Sequence, residues 1–316
     1  ITLPDAQDFI GCVERMRGIE PDVRKWLSRG PDFRVVVDFT GGTKCMSAAL
    51  ALAARRWPCL CSYVGGTERN KGGVGVVVDG KESVYHMQNP WDALGYQTAE
   101  ESIALFNKRD YQATIDIVAA GLPNVESPKM KSELNSLKLL AEGYLSWDLF
   151  DHAKAEQKLK QVEKNINNLC QLAGDRQQDL KLLIEKHLDF LRKFGSPEWG
   201  RHTVVDLCAN AQRCADRGRY DDGVARIYRA IEAIAQLRLR DHHNIDTTKT
   251  PLDRVPDPLH SKWKSRVRDG LLRLSLQDDY QLLESLGDEL AQRFRDLSLS
   301  GEKSLLETRN QSFLAH

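Results

Sequence analysis

Residues 38–54 read DFTGGTKCMSAALALAA, and this stretch decides the fold of the first part of the chain. A β-rich run, Arg34–Phe39, leads into two glycines, and an alanine-rich apolar segment, Thr43–Trp57, follows them. A second β-rich run begins at Leu60. Strand, tight turn, helix and strand make up the βαβ unit of a doubly wound α/β domain. A helix that is apolar almost all round packs against the sheet on one side and another element on the other.

The rest of the chain divides by its pattern of apolar residues. Two more β-rich runs, Val74–Val78 and Ser83–Met87, complete the strand signals, and the pattern is helical from about Thr98 onward. Because the chain begins with Ile1 rather than Met, we expect its first domain to be incomplete at the N-terminus. The pattern predicts an α/β domain at residues 1–95, a helical linker domain at 96–199 and an α-helical domain at 200–316.

The composition excludes several classes of protein. Lysine plus arginine and aspartate plus glutamate both total 45, so a nucleic acid would have to be bound by local basic patches. The seven cysteines form no CxxC pair, which argues against a zinc site or a disulfide framework and favours reduced thiols. The longest apolar stretch, Ala48–Ala54, is too short to span a bilayer. We expect a cytoplasmic protein with no metal and no cofactor.

The glycine turn has the chemistry of an anion-binding site. It is not a Walker loop, and the later GVG at residues 73–75 lacks the third glycine of a dinucleotide fingerprint, so a dehydrogenase is set aside. A helix N-terminus nonetheless presents unpaired N–H groups and a partial positive charge. Lys44 adds a cation, and Thr40 and Thr43 add hydroxyls. The same residues also suit a plain glycine turn with a threonine helix cap.

The whole of residues 38–54 is a more specific signal of a protein family than the two glycines alone. It resembles the signature D-(Y/F)-T-G-G-T-K-x-M-S-x-A of CARF domains, the Rossmann-like sensor domains of type III CRISPR ancillary proteins. The resemblance implies a cyclic oligoadenylate ligand, with the tetra-adenylate ring favoured over the hexa-adenylate ring, bound across the two-fold axis of a homodimer. It implies ligand contacts at Thr40, Gly41, Gly42, Thr43 and Lys44. A second glycine segment follows the next strand at the same sheet edge, and we expect ligand contacts there at Gly65, Gly66 and Thr67.

The chain ends in RNQSFLAH, with Arg309 and His316 in an R-x6-H relation. At ~100° per residue, positions seven apart lie within about 20° of one helix face, whereas positions five apart diverge by about 140°. Two other pairs have similar spacing, but the first is five apart and prolines interrupt the second: Arg238 with His243, and Arg254 with His260. Helix geometry therefore favours the pair at the end of the chain.

The RNxSxxAH pattern resembles the active-site motif of HEPN ribonucleases. This resemblance implies an α/β plus all-α protein in which a CARF domain, a helical linker and an α-helical HEPN domain follow one another. It implies metal-independent cleavage of single-stranded RNA to a 2′,3′-cyclic phosphate, at a site shared by two chains. His316 would move a proton, Arg309 would stabilise the charge on the phosphoryl oxygens, and Asn310 would orient the arginine or the phosphate.

Three other interpretations stay open at this point. The protein could be a ligand-binding regulator that keeps HEPN only as a dimerisation module. It could also be a ribonuclease that degrades its own activator with help from Thr43 and Lys44. Finally, Arg309 and His316 could be surface residues of a solvated helix.

The sequence also makes predictions about the start of the last domain. Residues 218–240 are amphipathic, with one apolar face made of Val224, Ile227, Ile231, Ile234 and Leu237, and resemble the first helices of this HEPN class. Glu232 could anchor Arg309 or form an ordinary surface pair. The basic run Lys262–Arg268 could hold RNA phosphates or form a solvated helix face.

Overall fold

The structure is a computed structural model that describes residues 5–30, 33–70, 76–195, 200–257 and 259–296. It is mostly helical and has few strands. The chain divides into two compact units, one of residues 1–141 and 165–177 and the other of residues 142–164 and 178–316. Within the described ranges, every helix is too short or too polar to span a bilayer. The three predicted domains stay a prediction.

The first unit opens with helices and a three-stranded sheet. β1 (Val35–Asp38) runs parallel to β2 (Cys59–Gly65), with Val35 opposite Cys59, and β3 (Ser83–Gln88) runs antiparallel to β2. The predicted strand–helix–strand unit is therefore confirmed, with α3 (Lys44–Ala53) as the crossover helix. In chain order these elements are α1 (Phe9–Arg17), α2 (Glu20–Leu27), β1 (Val35–Asp38), α3 (Lys44–Ala53), β2 (Cys59–Gly65) and β3 (Ser83–Gln88).

The strand predicted at Val74–Val78 is wrong in its described part. Residues 74 and 75 lie outside the described ranges, and Val77 forms a single bridge with Arg69. The Val78 N–H donates to the Glu68 carbonyl at 3.0 Å. The described part of the segment therefore pairs with residues 68–70 of its own loop and does not extend the sheet.

Helix α3 contacts two cores. Leu50 and Ala53 border a core of sheet and α2 residues that includes Val23, Val37 and Trp57. The same two residues border a second core, which α3 shares with α1 and which consists of Cys12, Met16 and Ala49. One face of the sheet is therefore covered by helices. Leu52 is 47% exposed, so the prediction that α3 packs on both sides is only partly correct.

Helices follow the sheet for the next hundred residues. They are α4 (Pro90–Ala93), α5 (Tyr96–Asn107), α6 (Tyr111–Gly121), α7 (Pro128–Asp148), α8 (His152–Lys164), α9 (Cys170–Ala173) and α10 (Gln177–Leu191). In the first unit, Ala99 of α5, Val118 of α6 and Leu134 of α7 meet in one buried cluster. The predicted helical character of this stretch is confirmed.

The second unit is built around a long helix. Its elements after α10 are α11 (Arg201–Asp216), α12 (Tyr220–His243), β4 (Thr250–Pro251), α13 (Leu259–Trp263), β5 (Leu271–Leu272), α14 (Leu276–Ser285) and α15 (Glu289–Asp296). Ala235 and Leu239 of α12 pack in the main core with Trp263, Leu272 and Leu282. Apolar side chains of α13, β5 and α14 thus cover one side of α12.

The predicted apolar face of α12 is only partly correct. Leu237 is buried, but Ile234 is 36% exposed. The fully buried positions lie outside the predicted face and are Ala233, Ala235 and Leu239. Ala230 and Ala233 share a cluster with Leu207 of α11. Small side chains let two helix backbones approach closely, so alanines occupy the contact that larger residues were predicted to fill.

Candidate functional site

The turn after β1 is tied to the neighbouring strand. The Thr40 N–H donates to Asp38 Oδ1 at 2.9 Å, and Thr40 Oγ1 accepts from the Val64 N–H at 2.8 Å. Because Val64 directly precedes Gly65, the two glycine segments that the sequence singled out lie together. They meet at the carboxyl ends of β1 and β2, as predicted.

Thr43 caps the helix that follows the turn. Its Oγ1 accepts from the Met46 N–H at 3.2 Å and donates to the Ala6 carbonyl. Gly42 has a φ of +91°, a left-handed conformation that favours glycine. The Thr43 hydroxyl is therefore engaged within the protein, and part of the motif is explained by the helix cap alone.

Lys44 and Gly41 remain accessible at the start of α3. Lys44 is the first residue of the helix and its side chain is exposed. A Cβ added to Gly41 would meet nothing within 4 Å, so the space beside this backbone is open. An anion can approach the Gly41 backbone and the Lys44 ammonium without displacing a side chain.

The second glycine segment is shaped by close packing. A Cβ on Gly66 would lie 2.5 Å from the Lys81 carbonyl oxygen and 2.5 Å from Val77 Cγ1, and a Cβ on Gly65 would collide with the Tyr63 ring. Thr67 follows them in the loop and is exposed. These contacts account for both glycines without a ligand, and they leave Thr67 accessible at the sheet edge.

An ionised carboxylate lies beside the turn. Hydrogen bonds from the Ser62 hydroxyl and from Thr40 lower the pKa of Asp38, so this carboxyl stays charged. A phosphate placed directly over Asp38 would be repelled, and the favourable position for an anion is on the Lys44 side. Sequence reasoning missed Ser62, although a buried polar residue within the apolar run CLCSYVG was a usable signal.

The proposed catalytic residues Arg309, Asn310 and His316 lie outside the described residues. The competing pair Arg238 and His243 is described, and both side chains reach the same carboxylate. Arg238 Nε and His243 Nε2 each lie 2.8 Å from Asp288 Oδ2. The prediction that this pair would point apart was wrong. Both side chains are long enough to reach the same carboxylate, Asp288, although they start from different positions around the helix.

The other competing pair behaves as its prolines predict. Arg254 ends a 3-10 turn, Leu252–Arg254, and His260 lies in the separate helix α13. No single helix joins the two residues, so they cannot form one helical face.

Glu232 and the basic run have partners of their own. Arg229 Nη1 donates to Glu232 Oε2 at 2.6 Å, which makes Glu232 part of an ion pair along α12. Within the basic run, Trp263 is buried, and Arg266 donates two hydrogen bonds to Asp278 at 2.8 and 2.7 Å. The run is therefore not a continuous solvated helix face, and its central arginine stabilises the fold.

Comparison with known families identifies the helical part of the chain. Residues 196–316 match the family model of the Csm6 HEPN domain, and residues 94–191 match that of the Csm6 6H domain. The two matches together cover more than two thirds of the chain. The comparison with curated proteins gave no match. The chain belongs to the type III CRISPR-associated Csm6-like ribonucleases.

Proposed function

We propose that the protein is an endoribonuclease of antiviral defence that a cyclic oligoadenylate activates. The match of residues 196–316 to the Csm6 HEPN domain carries the proposal, since Arg309, Asn310 and His316 fall within it. Residues 1–95 would form a Rossmann-like CARF domain that binds the ring. The enzyme would act in the cytoplasm as a homodimer on single-stranded RNA.

The proposed reaction uses the RNA's own 2′-hydroxyl. The 2′-oxygen attacks the adjacent phosphorus, the bond to the 5′-oxygen breaks, and a 2′,3′-cyclic phosphate and a 5′-hydroxyl result. His316 transfers a proton as general acid or base, and Arg309 stabilises the charge that builds on the phosphoryl oxygens. Asn310 orients Arg309 or the phosphate. Each chain supplies one such set, and two sets face each other in the dimer.

Three features of the first unit support a phosphate-bearing activator. A helix begins at the carboxyl end of a parallel strand, where ligands bind in open α/β sheets. The backbone beside Gly41 is open, and Lys44 is exposed. A ring with repeated phosphates could meet the same helix N-terminus in both chains of a dimer, and we favour the tetra-adenylate ring over the hexa-adenylate ring.

A cleavage assay tests the proposal. Purified protein is incubated with single-stranded RNA and cyclic tri-, tetra- or hexa-adenylate, with and without EDTA. We expect one ring to stimulate cleavage strongly and the chelator to have no effect. Equal cleavage without any ring would contradict the activation step. Ring binding without cleavage would favour the non-catalytic regulator instead.

Lys44 should contribute to activator binding through its charge. Lys44→Ala removes a cation beside the open turn, and a charge-assisted contact to phosphate is worth roughly 1.5 kcal/mol, or about tenfold in affinity. We therefore expect the dissociation constant for cyclic tetra-adenylate to rise about tenfold in calorimetry. Lys25→Ala, an exposed lysine on α2, is the matched control. An unchanged affinity in Lys44→Ala would remove this residue from the site.

A further inference from the structure

Two buried carboxylates join the region that matches the 6H domain to the region that matches the HEPN domain. Asp148 is the last residue of α7 and is 8% exposed, and Asp206 lies on α11 and is 2% exposed. The Trp147 Nε1–H donates to Asp206 Oδ1 at 2.9 Å, and His152 Nε2 lies 2.7 Å from Asp206 Oδ2. Both of these partners of Asp206 come from the other side of the boundary between the two family matches.

Asp148 has the reverse arrangement. Arg213 Nε lies 2.8 Å from Asp148 Oδ1, and Arg217 Nη2 lies 2.9 Å from Asp148 Oδ2. Asn210 Nδ2 also donates to Asp148 Oδ1, at 3.3 Å. Asn210 and Arg213 are on α11, and Arg217 directly follows it, so each region supplies a buried carboxylate whose partners lie in the other region. We call Asp148, Asp206 and these partners the boundary network.

The boundary network makes the junction geometrically specific. A displacement of about an ångström takes a hydrogen bond out of its normal range, and a buried charge that loses its partners is strongly unfavourable. Contacts between apolar side chains have no such directional requirement. Every residue of the network belongs to the second compact unit. The end of α7, the start of α8 and helix α11 should therefore move as one body.

Helix α11 connects the boundary network to the long helix of the HEPN domain. Leu207, the neighbour of Asp206 on α11, shares a buried cluster with Ala230 and Ala233 of α12. Because these side chains are small and the contact is close, a shift of α11 displaces α12 as well. The network thus holds α12 in a fixed position relative to the linker helices.

We propose that Asp206 is a positioning residue for ring-stimulated cleavage, because it fixes α11 to the linker helices. This inference rests on the proposed function, in which residues 96–195 connect the part of the chain that binds the ring to the part that cleaves RNA. A rearrangement of the linker helices on ring binding reaches the HEPN domain only while the boundary network holds the two regions together. Asp206 acts through α11 and not by contact with the RNA.

Single-turnover cleavage of RNA by the full chain, at a saturating concentration of cyclic tetra-adenylate, tests this inference. We expect Asp206→Asn to lower the rate by roughly tenfold, which is within the usual range of coupling between sites. Calorimetry on the same protein should show that the ring still binds.

Asp288→Asn is the matched control. Asp288 is also a buried carboxylate that pairs with an arginine and a histidine, Arg238 and His243, but all three residues lie within the HEPN match. We expect Asp288→Asn to lower the melting temperature and to keep the ring-saturated rate at temperatures where it stays folded. The comparison separates the loss of a connection between the two regions from a loss of stability alone.

A second pair of variants lies at the edge of the boundary network and keeps the test decisive if Asp206→Asn does not fold. The His152 side chain is 17% exposed. His152→Ala removes a donor to Asp206, whereas the amide of His152→Gln can still donate, so the rate should fall in the first and be partly restored in the second.

Unchanged ring-saturated rates in Asp206→Asn and His152→Ala would overturn the inference and leave the proposed function standing. An equal loss of rate in Asp288→Asn at an equal melting temperature would do the same. If no cyclic tri-, tetra- or hexa-adenylate stimulated the unmodified protein, the proposed function itself would fail.

Discussion

His316→Ala abolishes ring-stimulated RNA cleavage and leaves binding of the ring unchanged. This result is expected because His316 is proposed to transfer the proton, and general acid–base catalysis contributes roughly 10²–10⁴-fold to a rate. Arg309→Ala should lose at least as much, since it removes the cation proposed to stabilise the developing charge. Residues that act as one unit are not additive, so the double variant should be no worse than either single variant.

The measurement compares single-turnover cleavage of RNA with calorimetric binding of cyclic tetra-adenylate. Light scattering on the same samples should show a dimer with and without the ring, because each chain is proposed to carry half a site. Full activity in His316→Ala, or loss of activity in EDTA, would show that the catalytic assignment is wrong. A monomer that cleaves at a rate linear in protein concentration would contradict the shared site.

Arg238 and His243, the competing R-x4-H pair, serve as the control for the catalytic assignment, and the structure shows which property their replacement should change. Arg238 and His243 both bind Asp288, which is almost fully buried, and their hydrogen bonds hold its pKa at about 2 although burial alone raises it. We expect Arg238→Ala and His243→Ala to lower the melting temperature and to keep cleavage activity at temperatures where they stay folded. Arg254→Ala and His260→Ala should keep both properties.

Asp279→Asn makes the protein's stability far less sensitive to pH between about 4 and 8. Asp279 is fully buried in the second unit, and neither carboxyl oxygen has a hydrogen-bond partner. Burial, with the nearby carboxylates Glu232 and Asp278, raises the pKa of Asp279 to about 8, and Arg229 opposes this shift. The folded protein therefore holds a proton at Asp279 that the unfolded chain, with a pKa near 3.8, has already released.

The sign of the effect follows from proton linkage. Protonated Asp279 contributes to the free energy of unfolding. This contribution is fully present below pH 3.8, the pKa of Asp279 in the unfolded chain, and it is lost as the pH rises to about 8, its pKa in the folded protein. Each pH unit in that window lowers the free energy of unfolding by about 1.4 kcal/mol, because one proton more is bound in the folded state. Above pH 8 the loss is complete.

Melting temperatures at pH 5, 6, 7 and 8 check this prediction. An asparagine amide keeps the size of the side chain and does not titrate, so the slope against pH, and not the absolute stability, reports the effect. Asp278→Asn is the matched control. Arg266 and Ser275 hold the pKa of Asp278 at about 2 against the effect of burial, so its replacement should destabilise the protein at every pH in this range. Parallel pH curves for Asp279→Asn and the unmodified protein would refute the assignment.

Local patterns were enough to predict the main elements of the fold. The βαβ unit, the cap at Thr43, the crossover helix α3 and the mainly helical character of the described residues after 98 follow from periodicity, glycine placement and helix caps, whereas the two-residue strands β4 and β5 were not predicted. The family that the sequence suggested is shown by the matches of residues 94–191 and 196–316, while the CARF assignment of the N-terminal motif stays a prediction. These features depend on residues within a few positions of one another, and a sequence displays such relations directly.

Other features arise only from contacts between distant segments. Val74–Val78 has the composition of a strand, but its described part pairs with residues 68–70 of the same loop. Ile234 fits the apolar stripe of α12, but close packing of α11 selects the alanines. Arg238 and His243 converge because Asp288 lies within reach of both, and Ser62 donates to Asp38 because strand register places the two residues opposite each other. Pairing partners and the reach of long side chains depend on which segments meet in space, and no local pattern specifies this.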